Sequence, residues 1–145
     1  HATAEAMVGR ILQDANELRD NSGLANVYFG GDAFGLGGFV GSFTASTGAE
    51  FCAVKQGWQL QASLANLEAL AADRRIARVD TPLLRANIAH LAIEYSGSGR
   101  RFAKRDADAT GMGQLKIDGA MALLSALALY EAKVHEAMDV RALIG

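Results

Sequence analysis

The sequence predicts a mixed α/β fold in which helices alternate with short, buried strands. Apolar residues recur at three- and four-residue steps along several segments, as in amphipathic helices. Between them lie short runs that are apolar throughout and rich in Val, Tyr and Phe, which are typical of buried strands. Strands of this kind belong to sheets that helices cover on both faces, so we expect α/β layering.

The composition limits the number of domains and the kinds of site that the chain can form. With 145 residues, 50% of them hydrophobic, the chain suits one domain over residues 1–145 with a real core. The net charge is −2, so any nucleic-acid contact needs a local basic patch. Cys52 is the single cysteine, which excludes an internal disulfide and a thiolate zinc site; we expect a buried, inert thiol. No apolar run is long and charge-free enough to span a bilayer, so we expect no membrane partner.

The first half of the chain predicts two helices and two strands. Residues 4–20 have helical periodicity, and Asn-Ser-Gly at 21–23 ends that helix. An apolar run at 24–29 predicts a buried strand, followed by Gly30, Gly31 and Asp32. Residues 34–47 are rich in glycine yet plausible as a closely packed helix, and residues 51–54 predict the second strand.

The second half predicts three helices and one strand. A strong amphipathic helix covers 59–74, with a stripe made of Leu60, Leu64, Leu67 and Leu70. Pro82 suits the start of a helix that continues to residue 90. Residues 91–95 predict a strand that ends in the flexible turn 96–99. The last helix runs from about residue 117 into the 130s.

The glycine-rich segment 30–41 does not fit the known nucleotide-binding loops. A dinucleotide fingerprint that starts at Gly35 requires glycine where the chain has Val40. The chain also lacks the Gly-Lys-Ser/Thr of a phosphate-binding P-loop. We therefore favour close packing of a short helix on the sheet.

Two carboxylates lie at positions where they are candidates for metal binding. Asp118 begins a helix that is apolar almost all round, where it is either a first-turn acid at the positive helix end or a buried carboxylate that needs a partner. Asp32 follows a predicted strand, as a turn or cap residue or as a ligand. If the two meet at one sheet edge, they can hold Mg²⁺ or Mn²⁺ for phosphodiester hydrolysis, although spacing alone does not bring them together.

The other polar candidates are a basic segment and two histidines. Arg100, Arg101, Lys104 and Arg105 form either a solvated hairpin or loop face or a patch that contacts DNA. His90 and His135 lack partners at metal-ligand spacing, so each is interpreted as a packing or surface residue.

Four of these segments, in this order, resemble the C-terminal nuclease domain of phage terminase large subunits, the DNA-packaging motor proteins. Val-Tyr-Phe-Gly-Gly-Asp at 27–32 is similar to a family strand that ends in an acid, and Ala-Val-Lys-Gln-Gly at 53–57 to the next strand. Thr-Pro-Leu-Leu-Arg-Ala-Asn at 81–87 resembles the family's Asn-Pro-Val-Leu-Arg-Trp-Asn. Lys-Ile-Asp-Gly at 116–119 matches its Lys-Ile-Asp-Gly helix. The resemblance covers about residues 20–130.

The resemblance implies an RNase H-like mixed sheet flanked by helices and an endonuclease that cleaves double-stranded DNA concatemers with Mg²⁺ or Mn²⁺. It carries the catalytic and metal-binding roles onto Asp32 and Asp118. The implied partners are DNA and, in the full protein, the terminase small subunit and the portal, in the host cell cytoplasm. The residues expected to contact DNA are Arg100, Arg101, Lys104, Arg105 and Lys116.

The chain departs from the family at several points, and these departures change the activity that we expect of it. The family's first catalytic acid lies on an earlier β-hairpin, whereas residues 4–20 resemble the helix that follows it. Ala86 replaces a tryptophan and His90 replaces a second asparagine. We therefore expect a truncated nuclease core of a larger protein, lacking the N-terminal hairpin strands, weak or inactive alone, and self-associating through the unpaired sheet edge. The alternative is a non-catalytic interaction or assembly module of a packaging protein.

Overall fold

The computed structural model describes residues 3–24, 26–32, 34, 36–76, 81–97, 99–104 and 116–144. It gives no side-chain detail at 58, 96, 99–101, 104 and 135–144. Over the described residues the fold is mixed α/β, with five α-helices and two small sheets of two strands each. The chain divides into two compact units, one ending at Val54 and one beginning at Lys55, which are described separately below.

The N-terminal unit contains two helices and a parallel pair of strands: α1 (Ala4–Asn21), β1 (Phe29–Gly31), α2 (Gly37–Thr47) and β2 (Phe51–Ala53). Thr3 caps α1, because its hydroxyl oxygen accepts a hydrogen bond from the Ala6 amide at 3.2 Å. Gly48 ends α2 in the left-handed conformation, with φ of 68°, where a glycine has no Cβ to strain. The segment boundaries thus follow from ordinary capping chemistry.

Phenylalanine rings fill the space between the strands and α2. In the parallel register Phe29 pairs with Phe51 and Gly31 with Ala53. Phe43 is 2% exposed and packs against both Phe29 and Phe51, with ring centroids 5.2 and 5.4 Å apart. These tilted contacts are the arrangement that aromatic quadrupoles favour.

The C-terminal unit begins with a 3₁₀ turn (Gly57–Leu60), which leads into α3 (Gln61–Ala72). It continues with α4 (Pro82–His90), β3 (Leu91–Ser96), β4 (Gly99–Lys104) and the 27-residue α5 (Asp118–Ile144). β3 and β4 form an antiparallel hairpin in which Ser96 pairs with Gly99. None of the helices in the described part of the chain has the length and apolar character needed to cross a membrane.

The long helix α5 packs on α3 and α4 through an apolar face with polar links. Its buried positions include Ala120, Leu124 and Leu127, and Leu60 and Leu64 are buried at the start of the predicted leucine stripe. Polar side chains also join α5 to the segments preceding and forming α3: Gln56 Nε2 donates to Ser125 Oγ at 3.2 Å, and Ser63 Oγ donates to Glu131 Oε2 at 3.0 Å.

The sequence predictions hold for the helices and differ in detail for the strands. All five α-helices and the strand beginning at Leu91 lie where their patterns predicted them. The first strand does not cover 24–29 but begins at Phe29, because only residues 29–31 find partners on β2. Cys52 is half-buried in β2 rather than buried. The finer expectation of an RNase H-like sheet stays a prediction.

Candidate functional site

The start of α5 and the end of α4 meet through a buried asparagine. Thr81 caps α4 by accepting from the Leu84 amide at 3.2 Å, and Pro82 occupies the first turn. Later in the same helix, Asn87 is 4% exposed. Its Oδ1 accepts a hydrogen bond from the Gly119 amide at 2.8 Å, and its Nδ2 donates to the Leu83 carbonyl at 3.0 Å. Asn87 therefore ties the two helices together.

This contact supplies the cap that α5 lacks locally. The first amides of a helix have no partner within the helix, and a Ser, Thr, Asp or Asn just before it normally accepts from one of them. Here the preceding residue is Ile117, whose side chain cannot accept a hydrogen bond. Asn87 takes that place from another helix. His90, one turn further along α4, has its Nδ1 3.4 Å from the Lys116 carbonyl oxygen.

Gly119 lies against this asparagine. A Cβ atom at position 119 would lie 3.4 Å from both Cγ and Oδ1 of Asn87. That is van der Waals contact, so an alanine fits and a longer side chain would displace the amide. The spacing therefore limits position 119 to a small residue.

Asp118 is exposed, so of its two alternatives it is the first-turn acid rather than a buried carboxylate. α5 is not buried on every side: Ala120 and Leu124 face the core, whereas Asp118, Ala122 and Tyr130 are exposed. The acid thus lies in the first helical turn, where the positive end of the helix dipole favours a negative charge. Its oxygens are accessible to solvent and to a cation.

Asp32 follows β1 immediately, at the carboxyl end of the strand as predicted. Its Oδ1 accepts a hydrogen bond from the Phe34 amide at 3.0 Å, which is an Asx-type turn. The turn role is therefore present, and it engages one of the two carboxylate oxygens. Asp32 belongs to the N-terminal unit and Asp118 to the C-terminal unit, so their meeting stays a prediction.

The basic segment forms the second strand of the hairpin. β4 carries Arg100, Arg101 and Lys104, and Arg105 lies outside the described residues. In the register Tyr95 pairs with Arg100, Glu94 with Arg101 and Leu91 with Lys104. Because neighbouring residues of a strand alternate between its faces, positions 95, 100 and 104 share one face and positions 94 and 101 share the other. Lys116 is exposed just before α5.

The remaining polar candidates carry little chemistry. His90 is half-buried against the Lys116 backbone, which agrees with a packing role, and the His135 side chain lies outside the described part. Among the residues that the structure describes, no three His, Cys, Asp or Glu side chains gather as ligands for one ion.

The N-terminal unit contains an open apolar hollow of about 420 Å³, lined by four phenylalanines and by residues of α1 that include Asp14.

Two features escaped the sequence analysis. Asn87 was part of the segment 81–87, but nothing in the sequence assigned it a structural role. The available signal was an asparagine inside a helix, which is unfavourable there unless its side chain has a specific partner. The sequence pattern places Tyr95 at the end of a strand and indicates no partner for it. Its pairing with a basic residue follows from the position of the turn at 96–99.

Comparison with known proteins gives no assignment: no protein-family model matches the chain, and no curated sequence or solved structure is significantly similar to it. The resemblance to terminase nucleases therefore rests on the four segments at 27–32, 53–57, 81–87 and 116–119. Two of these, 81–87 and 116–119, are in direct contact through Asn87 and Gly119.

Proposed function

We propose that the chain is a metal-dependent endonuclease domain of a phage DNA-packaging terminase, which cleaves double-stranded DNA concatemers by two-metal phosphodiester hydrolysis. The hydrogen bond between Asn87 and Gly119 carries this proposal. It joins two segments, 81–87 and 116–119, that the family resemblance singles out independently. The two segments lie 32 positions apart in the chain, and their contact holds the first turn of the helix that carries Asp118.

The proposed metal ligands are Asp118 and Asp32. Mg²⁺ and Mn²⁺ prefer oxygen ligands, and both carboxylates are exposed, so an ion can reach them. When bound, such ions lower the pKa of an attacking water and stabilise the leaving oxygen of the phosphodiester. The role of the surrounding residues is to hold the two carboxylates in place. Asn87 does this for Asp118 by fixing the first turn of α5, and the Phe34 amide does it for Asp32.

The proposed DNA contacts are basic residues of the same C-terminal unit. Lys116 is exposed two residues before Asp118, and Arg100, Arg101 and Lys104 lie on the hairpin strand β4. Duplex DNA is bound largely through its phosphates, which lysine and arginine neutralise. These basic positions support DNA binding by a chain whose net charge is slightly negative.

The direct test is plasmid nicking with Mn²⁺. We expect weak cutting by the chain alone and stronger cutting by a version extended at its N-terminus. In both, Asp118→Asn and Asp32→Asn should each reduce cutting to background, because an amide is a poor substitute for a charged metal ligand. The matched controls are Asp73→Asn and Glu50→Gln, which change exposed acids in the C-terminal and N-terminal units respectively. Both controls should cut like the parent chain.

Metal binding gives a readout that is independent of turnover. Titration of Mn²⁺ by calorimetry should show a site that is lost in Asp118→Asn and kept in Asp73→Asn. Cutting that survives Asp118→Asn, or Mn²⁺ binding unchanged by both site substitutions, would refute the assignment of the site.

A second candidate, a non-catalytic assembly module, is favoured by the surface of α1. Its apolar residues Met7, Ile11 and Leu18 are 57%, 48% and 53% exposed, which is a large amount of apolar surface for one helix. If this role is the true one, the chain neither cuts DNA nor binds Mn²⁺, and Ile11→Ser with Leu18→Ser changes its oligomeric state in light scattering. A parent chain that is monomeric at all concentrations would argue against the module.

A further inference from the structure

The hairpin of the C-terminal unit places an exposed aromatic ring beside a basic position. Tyr95 is 77% exposed, although tyrosine buries much apolar area when it packs in a core. It lies next to the last pair of the ladder, Ser96 with Gly99, and directly opposite Arg100. Directly opposite residues have Cβ atoms only about 5 Å apart, so the two positions form one small surface.

The two faces of this hairpin differ in charge. Arg100 and Lys104 share the face of Tyr95, and the other positions on that face, Leu91, Ile93 and Phe102, are uncharged. On the opposite face Arg101 pairs with Glu94, an acid of opposite charge. By register, the Tyr95 face therefore carries two basic positions and no acidic one among the paired residues 91–96 and 99–104.

An aromatic ring flanked by cations is the arrangement that binds unpaired nucleic acid. Each exposed base has a flat face on which an aromatic side chain stacks, while basic residues follow the phosphates. In an intact duplex the base faces are covered by neighbouring bases, so a protruding tyrosine has nothing to stack on except at an end or in a single-stranded stretch.

We propose that the Tyr95 face of the β3–β4 hairpin binds an unpaired DNA nucleotide, with the Tyr95 ring on the base and Arg100 and Lys104 supplying charge for the adjacent phosphates. This inference rests on the proposed function only for the choice of DNA over RNA. It does not require the chain to cut. It gives the domain a preference for frayed or single-stranded DNA next to duplex.

The test is DNA binding in EDTA, where metal-dependent cleavage cannot occur. The probes are a fluorescein-labelled blunt 20-base-pair duplex and the same duplex with a five-nucleotide single-stranded tail, followed by anisotropy. We expect the parent chain to bind the tailed duplex more tightly. Tyr95→Ala should weaken tailed-duplex binding about 5- to 100-fold and leave blunt-duplex binding within about twofold.

Matched variants separate stacking from a general loss of structure. Tyr95→Phe keeps the ring and should bind the tail like the parent, and Tyr130→Ala removes a tyrosine that is 65% exposed on α5 and should change nothing. Circular dichroism should show the same helix content in all four proteins. Equal binding of tailed and blunt duplex by the parent, or a Tyr95→Ala variant that retains the tail preference, would overturn the proposal.

Three further outcomes test this inference, and the first and the last of them keep it distinct from the nuclease proposal. A tail preference that depends on Tyr95 in a chain that never nicks plasmid would uphold the hairpin site and reject the proposed cleavage. Tighter binding of an RNA tail of the same sequence would overturn the assignment to DNA. Nicking that requires Asp118 without any tail preference would uphold the cleavage and reject the hairpin site.

Discussion

The side chain of Asn87 caps the N-terminus of a helix that begins 31 positions later in the chain, since its Oδ1 accepts from the Gly119 amide at 2.8 Å. Helix caps are usually local, because the residue just before the helix is the nearest available acceptor. Here the first turn of α5 is completed only when α4 is folded beside it. The position of the Asp118 carboxylate, one residue before Gly119, thus depends on a tertiary contact.

Removal of the asparagine side chain should destabilise the C-terminal unit. Asn87→Ala leaves the half-buried Gly119 amide without its acceptor, which costs about 1–3 kcal/mol of unfolding free energy. The measurement is urea denaturation followed by circular dichroism. As a control, Asn66→Ala removes an exposed amide that donates to Glu131, and it should cost less than about 1 kcal/mol. Equal losses from the two variants would contradict the capping role.

The spacing at Gly119 predicts a size threshold. Gly119→Ala should be tolerated within about 0.5 kcal/mol, because its Cβ would lie at contact distance, 3.4 Å, from Asn87. Gly119→Leu should displace the amide and lose about as much stability as Asn87→Ala. The double variant Asn87→Ala with Gly119→Leu should then be less destabilised than the sum of the two, because both break the same contact. Strict additivity would show that the two side chains act separately.

Local chemistry explains which parts of the fold could be predicted. Thr81 and Pro82 start α4, and Gly23 follows the end of α1, because capping depends on residues a few positions apart. β1 could not be bounded in this way, since its three residues are strand only where β2 lies beside them. Pairing between distant segments leaves no mark in the periodicity of either one.

The sequence predicts which residues are candidates for the site, but not how buried they are or which residues they contact. The sequence places Asp118 at the start of a helix and Asp32 after a strand, and both lie there. The choice between an exposed and a buried Asp118 could not be made from the sequence, because an apolar sequence all round a helix does not show which sides contact other elements. In the structure α5 leaves the side of Asp118 exposed. The role of Asn87 depends on a segment 32 residues away, which no local pattern reveals.

The polar link between α3 and α5 gives a test of packing away from the site. Ser63 is 2% exposed and donates to Glu131, so Glu131→Ala leaves a buried hydroxyl without its acceptor and should cost about 1–3 kcal/mol. Adding Ser63→Ala to Glu131→Ala should recover part of that loss, because the orphaned hydroxyl is removed. Glu68→Ala, at an exposed position of α3, is the control and should stay within about 0.5 kcal/mol. The measurement is the free energy of unfolding in urea.

The salt dependence of duplex binding should separate the basic residues of the hairpin. A residue that contacts a phosphate contributes about 0.9 to the slope of log K against log salt, so Lys104→Gln should flatten the slope by about that amount. Neutralising Lys104 and Arg105 together should flatten it further. Arg101→Gln should have a smaller effect, because the register places Glu94 opposite Arg101 and part of its charge is already balanced.

The measurement is anisotropy of a blunt duplex from low to moderate salt, in EDTA. The control is Arg75→Gln, which removes an exposed charge from the same unit outside the basic segment and should leave the slope unchanged. If none of the hairpin variants alters the slope, the basic segment is a solvated face that does not contact DNA. A slope that falls equally for Arg101, Lys104 and Arg75 would mean that net charge alone attracts DNA, with no contact specific to the hairpin.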